Sequence, residues 1–134
     1  QFQGACDYYL TAEESEHCGE KGYLINYGHK NCQLFQENYD KYDETGKEFV
    51  SCTAQCLIEE LKTITAKNPE CPVLLQQAFA SHVPCYLKCG FCEAFKTNKG
   101  ALFHTYDPTD FFSVLAAKQV AQIAFNCGIS WVVG

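Results

Sequence analysis

The sequence predicts an all-α fold, a disulfide-stapled antiparallel helical hairpin within a four-helix domain, and three observations carry that prediction. Cys52 and Cys56 are four residues apart, as are Cys85 and Cys89, and both pairs sit in helix-like sequence, so each pair occupies one helical face. Large apolar residues recur at spacings of three and four through much of the chain. Those stretches end at Asn68-Pro69, Gly90 and Gly128, which are residues that stop helices. In an antiparallel hairpin Cys52 falls opposite Cys89 and Cys56 opposite Cys85, and two bridges one turn apart hold the helices close. Bridged Cα atoms stand only about 4.4–6.8 Å apart.

In chain order, residues 1–26 lack clear periodicity and read as an arm held by Cys6 and Cys18, with a polar run from Thr11 to Lys21 expected as a short helix or loop. From Tyr27 to Tyr42, Cys32, Phe35, Tyr39 and Tyr42 mark one apolar face against polar Gln36, Glu37, Asp40 and Lys41, which predicts the first helix. Thr45 and Glu48 stand in the relation of a capping box for the next. That second helix is expected over 47–67, with Val50, Ala54, Leu57, Leu61 and Ile64 as one buried stripe and Phe49, Cys52 and Cys56 on roughly the opposite side. A helix with two buried faces is central.

Pro72 suits the first turn of the third helix, because its missing N–H is not needed there. Leu75, Phe79, His82, Tyr86 and Cys89 share a face with Cys85 beside them, Gly90 caps the end, and Pro84 is expected to kink or split the helix. Residues 93–106, with Asn98, Lys99 and Gly100, read as a loop. Asp107 and Pro108 then open a fourth helix that ends at Cys127-Gly128, apolar over most of its circumference and so either wrapped by the domain or shared with a second subunit. Lys118, Gln119 and Gln122 interrupt it, so no membrane span is expected.

Composition sets the class. A chain of 134 residues, 47% hydrophobic, with no linker or low-complexity tract, reads as a single domain over 1–134, with 128–134 an apolar tail. Ten cysteines in so short a chain fit five disulfides in an oxidising compartment, and the protein is expected to be secreted and extracellular. No apolar run opens the chain, so Gln1 is expected to be a mature N-terminus left after a signal peptide is removed. A net charge of −6, the lack of arginine and scattered lysines exclude a nucleic-acid-binding surface. There is no Asn-x-Ser/Thr acceptor, so N-glycosylation is not expected.

Cys32-Gln33-Leu34-Phe35, then Tyr42-Asp43, Gly46-Lys47-x-Phe49-Val50 and Cys56, resembles the first helical hairpin of the stanniocalcins. The onward spacing through Cys71, Cys85, Cys92 and Cys127 is similar too, so the resemblance covers about 95 residues, from Cys32 to Cys127. The resemblance implies bridges Cys56–Cys85, Cys92–Cys127 and Cys18–Cys71. Cys52–Cys89 is then an added rung, and Cys6 is left with Cys32. It further implies a regulatory hormone of mineral balance or an inhibitor of an extracellular protease. With no odd thiol, a covalent dimer is not expected.

Other motifs have plainer readings. Gly46 at the sixth position of a calcium loop would put Lys41 first and Cys52 twelfth, where carboxylates are needed, so 43–47 is read as a helix cap. Ser81-His82-x-x-Cys85-Tyr86 faintly resembles the helix of secreted phospholipases A2, but Val83 stands where that chemistry needs an Asp, and His82 is read as a buried histidine satisfied by one hydrogen bond. With every cysteine assigned to a disulfide and His17, His29 and His104 solitary, neither a metal nor a cofactor is expected.

The aromatic content of 14% and the tail from Ile129 to Gly134 point to an apolar surface. Phe111, Phe112, Leu115, Ile123, Phe125 and Trp131 are its expected residues. The expected function is therefore non-enzymatic: a secreted protein that binds another extracellular molecule. An abundant structural, surface-active or small hydrophobic ligand-binding protein, as a non-covalent homodimer, is the alternative; a small hydrolase built on His82 is the second.

Overall fold

A computed structural model describes residues 2–106 and 114–128. Its regular elements are α1 (Gln3–Glu16), a π-helical turn (Leu24–His29), α2 (Lys30–Glu37), a 3₁₀ turn (Tyr39–Lys41), α3 (Glu44–Thr65), α4 (Cys71–Lys88), α5 (Phe91–Thr97), α6 (Lys99–Thr105) and α7 (Val114–Cys127). No strand occurs among the described residues. The all-α expectation holds, with seven α-helices among those residues in place of four.

The 22-residue α3 is the axis of the fold, packed against α1, α4 and α5. Val50, Leu61 and Ile64 of its predicted stripe are buried, with Ala54 and Leu57 half-buried. On the far side Phe49 is buried and Cys56 half-buried, whereas Cys52 is exposed at the rim. Antiparallel α4 lies alongside, and the two rungs form as the helical spacing requires: Cys52–Cys89 with Cα atoms 5.6 Å apart and Cys56–Cys85 with 5.7 Å. The remaining bridges are Cys6–Cys32, Cys18–Cys71 and Cys92–Cys127. They tie α1 to α2, the chain after α1 to the start of α4, and α5 to the end of α7.

Several local expectations are corrected. Residues 1–26 are not merely an arm, because α1 runs for 14 residues and buries Ala5, Cys6, Tyr9 and Ala12. Its end is closed by Glu13, whose carboxylate accepts from the N–H groups of Cys18 (3.2 Å) and Gly19 (2.6 Å). The helix expected over 27–42 is broken into a π turn, α2 and a 3₁₀ turn.

Residues 93–106 fold as helix, in α5 and α6, with Asn98 as the joint. Of the kink or split expected at Pro84, the split does not occur: Ala80, whose carbonyl would accept from residue 84, is exposed like Pro84, so water can replace the missing donor.

The start of α3 shows what the Asp43-x-x-Gly46-Lys47-x-Phe49-Val50 run does. Asp43, not Thr45, is the N-cap, and its carboxylate accepts from the Gly46 N–H at 2.9 Å. Buried Asn98 reaches across from the α5–α6 joint, accepting from the Asp43 N–H and donating to the Asp43 carboxylate and the Ala94 carbonyl, each at 2.9 Å. A hydrogen bond from the Thr97 side chain, together with those from Asn98 and the Gly46 N–H, favours the ionised carboxylate and holds the Asp43 pKa down at about 2.

Gly46 must be glycine for want of space, since a Cβ there would stand 2.6 Å from the Asn98 side chain. Lys47 lies over the Tyr39 ring at 5.5 Å, and Phe49 and Val50 enter the core. Asn98→Ala is expected to lower the unfolding free energy by about 2–3 kcal/mol in urea titrations, because it orphans the buried Ala94 carbonyl and removes the bonds that tie this joint to Asp43 at the start of α3. A loss below about 0.5 kcal/mol would show that this joint holds nothing.

Candidate functional site

Helix α7 closes over α4, α5 and α6 and leaves an apolar groove of about 670 Å³. One wall is Tyr86 of α4, Phe91 and Phe95 of α5, Leu102 and Phe103 of α6, and Tyr106; the other is Ala116, Ala117, Gln119, Val120 and Ile123 of α7. Tyr27 completes it. Gly90, with φ 87°, turns the chain from α4 into α5 so that Phe91 meets Tyr86 (centroids 5.7 Å) and Phe49 (5.4 Å), and Phe95 follows one turn later. The Cys92–Cys127 bridge fastens the far end of α7 to α5, which fixes the width of the groove.

Among the described residues no charged side chain lines the groove. Its polar groups are mostly committed: the Tyr86 and Tyr106 hydroxyls bond each other at 2.8 Å, and burial raises both pKa values, so both stay protonated at neutral pH. Phe103 (75% exposed) and Val120 (45% exposed) form an apolar rim open to solvent.

Behind the groove lies His82, 2% exposed. The Gln119 amide donates to the Phe79 carbonyl at 3.2 Å, which turns its oxygen toward His82 Nδ1 at 3.3 Å. Nδ1–H is therefore the donor, and Nε2 accepts from the Tyr23 hydroxyl at 2.6 Å. The imidazole makes two hydrogen bonds, not the single one expected. Desolvation lowers its pKa to about 4, so it is neutral. Both nitrogens are occupied and neither faces solvent, which is the arrangement of a structural histidine rather than of a general base.

Of the expected apolar residues, Ile123 is buried against the groove and Leu115 is half-buried against the core. Phe125 is 86% exposed and is not part of the groove wall. Phe111, Phe112 and Trp131, with the caps Asp107 and Pro108 and the tail 129–134, lie outside the described residues. The facing wall from α5 and α6 was not anticipated, although Phe91 with Phe95 and Leu102 with Tyr106, each four apart, carry the signal in the sequence. Among the described residues no group of three metal-ligating side chains gathers, and no helix is long and apolar enough to cross a membrane.

Fold and site together define a class: an all-α scaffold with its ten cysteines in five bridges, presenting an apolar groove. The chain belongs to the stanniocalcin family, whose sequence pattern matches residues 3–132. It is similar to stanniocalcin-2 of Mus musculus, with 27% identity over 104 residues, covering 75% of this chain and 34% of the relative. The chain thus spans about a third of the length of that curated protein. No solved structure matches. The family match reaches beyond the stretch Cys32–Cys127 and takes in α1.

Proposed function

We propose that this stanniocalcin-family chain is a secreted, non-enzymatic protein that acts by binding another extracellular molecule, in a regulatory, hormone-like or inhibitory role. The observation that carries the reading is the apolar groove with its exposed rim at Phe103 and Val120, held open by a frame of disulfides. Exposed aromatic side chains beside a pocket are the usual anchors of protein recognition. Ten cysteines paired in five bridges suit an oxidising, extracellular setting. Ile123 of α7 lines the groove, Phe125 offers a separate exposed apolar side chain on the same helix, and Leu115, Phe111, Phe112 and Trp131 are proposed to contribute.

The test compares the protein with a Phe103→Glu/Val120→Glu variant as baits for a crosslinked extracellular partner from conditioned medium. Capture is expected to fall at least tenfold while the helical circular dichroism and melting temperature stay unchanged, since both side chains are exposed. Equal capture by the two baits would sink the reading.

A second reading, a small hydrophobic ligand, is favoured by the volume of about 670 Å³, which falls in the range of roughly 300–1,000 Å³ typical of small-molecule pockets. Native mass spectrometry of the secreted protein distinguishes the cases. A co-purifying small mass supports the ligand, and a doubled mass assigns the face to a second copy.

A further inference from the structure

A second, smaller cavity of about 40 Å³ lies between the π turn, α2 and α3, walled by Tyr9, Tyr27, Asn31, Thr53, Val50 and His82. Two of these residues are polar, buried and unpartnered. Asn31 on α2 is 7% exposed and Thr53 on α3 is 4% exposed, and neither amide atom of Asn31 nor the Thr53 hydroxyl has a hydrogen-bond partner. Buried polar groups in folded proteins are almost always paired, because an orphaned one forfeits its hydration with nothing in return.

The neighbouring side chains are already engaged. Tyr23 is bonded to His82, His82 to Gln119, and Tyr86 to Tyr106. Three orphaned atoms on two helices beside one cavity therefore need a partner that can donate and accept at once.

We propose that this cavity is a built hydration site, in which one or two ordered water molecules bridge Asn31 of α2 to Thr53 of α3. Water donates to Asn31 Oδ1, accepts from Asn31 Nδ2–H, and takes either role toward the Thr53 hydroxyl. The volume is sufficient, since a water needs roughly 10–15 Å³ of such space, and too small for a larger organic guest. Among the described residues no charged side chain lines the cavity, which argues against an ion. The π turn contributes Tyr27 and Gly28 to the wall, and π-helical winding is a common accompaniment of specialised sites. The bridged water then serves as a fixed link between α2 and α3.

Two measurements on the intact, fully oxidised protein test this. In ¹⁵N-labelled protein the Asn31 side-chain NH₂ is expected to show a cross-peak to slowly exchanging water. Thr53→Val keeps the shape of the side chain and removes the hydroxyl. With water bound, the valine strips it of a partner and the melting temperature falls by about 3 °C or more. A dry cavity predicts the opposite sign, because the valine then replaces an orphaned hydroxyl by a methyl group that fits apolar surroundings. Absence of the cross-peak, or a melting temperature unchanged or raised in Thr53→Val, overturns the proposal.

Discussion

Replacing both rungs of the hairpin, Cys52 and Cys89 together with Cys56 and Cys85, by alanine is expected to cost about 6 kcal/mol, and either rung alone only about 2 kcal/mol. The difference follows from loop closure. The inner bridge closes 29 residues and the outer one 37, and the chain-entropy relation assigns a first bridge of that size about 3.6 kcal/mol. While one rung remains, the ends of the other are already held within a few residues of each other, so closing it removes much less entropy.

The two losses are thus strongly more than additive, and the four-alanine variant forfeits an amount comparable to the whole stability of a small domain. Of the single-rung variants, Cys56→Ala/Cys85→Ala should be the weaker, because Cys85 is 1% exposed and its truncation also leaves a cavity, whereas Cys52 is exposed. Denaturant unfolding followed by circular dichroism reads all three variants. Simple additivity of the two single-rung losses would refute the nested-loop account.

The hairpin was legible from sequence because its geometry is local twice over: cysteines four apart on each helix leave one antiparallel pairing. The core stripe of α3 was legible for a similar reason, since Val50, Leu61 and Ile64 contrast sharply with Glu59, Glu60 and Lys62 between them. Helix α1 was not, because its buried side is Ala5, Tyr9 and Ala12, and two alanines give little contrast with polar neighbours although the spacing of four and three is helical. The α5–α6 pair was hidden by Asn98-Lys99-Gly100, which has the composition of a turn.

What overrides that composition is tertiary: Asn98 is buried and makes its bonds to Asp43, 55 residues away in sequence. The same contact explains why Asp43 wins the cap over Thr45, as it gains a partner no local pattern could show. Half of the candidate site was lost with α5 and α6, because a face assigned to α7 alone has no opposite wall. The partners of His82, Tyr23 at 59 and Gln119 at 37 residues' separation, were likewise beyond local reasoning.

Stability is expected to fall as pH is lowered from about 6.5 to 4, by about 3 kcal/mol in all, through His82. The folded protein holds this imidazole neutral with a pKa lowered from 6.5 to about 4, chiefly because burial penalises the charged form. In the unfolded chain the same group protonates near its ordinary value. Between the two pKa values the unfolded state binds the extra proton, so the native state loses ground; above about pH 6.5 both forms are neutral and the contribution is complete, and below about pH 4 it is gone.

The groups against the ring do not offset this. Tyr23 stays protonated throughout, its pKa pushed up by burial, and Phe79 and Gln119 carry no charge. A protonated ring would also lose its bond from Tyr23, because Nε2 could no longer accept. Asp43 acts in a separate window: its depressed pKa contributes stability above about pH 4 that is lost as pH falls toward 2. Urea midpoints measured at half-unit steps from pH 7.5 to 4.5 should therefore decline steadily, with about 2 kcal/mol gone by pH 5. In His82→Gln, which is less stable at neutral pH, that slope should largely disappear. A flat profile in the parent protein, or an undiminished slope in the variant, would show that His82 does not set the acid sensitivity of the fold.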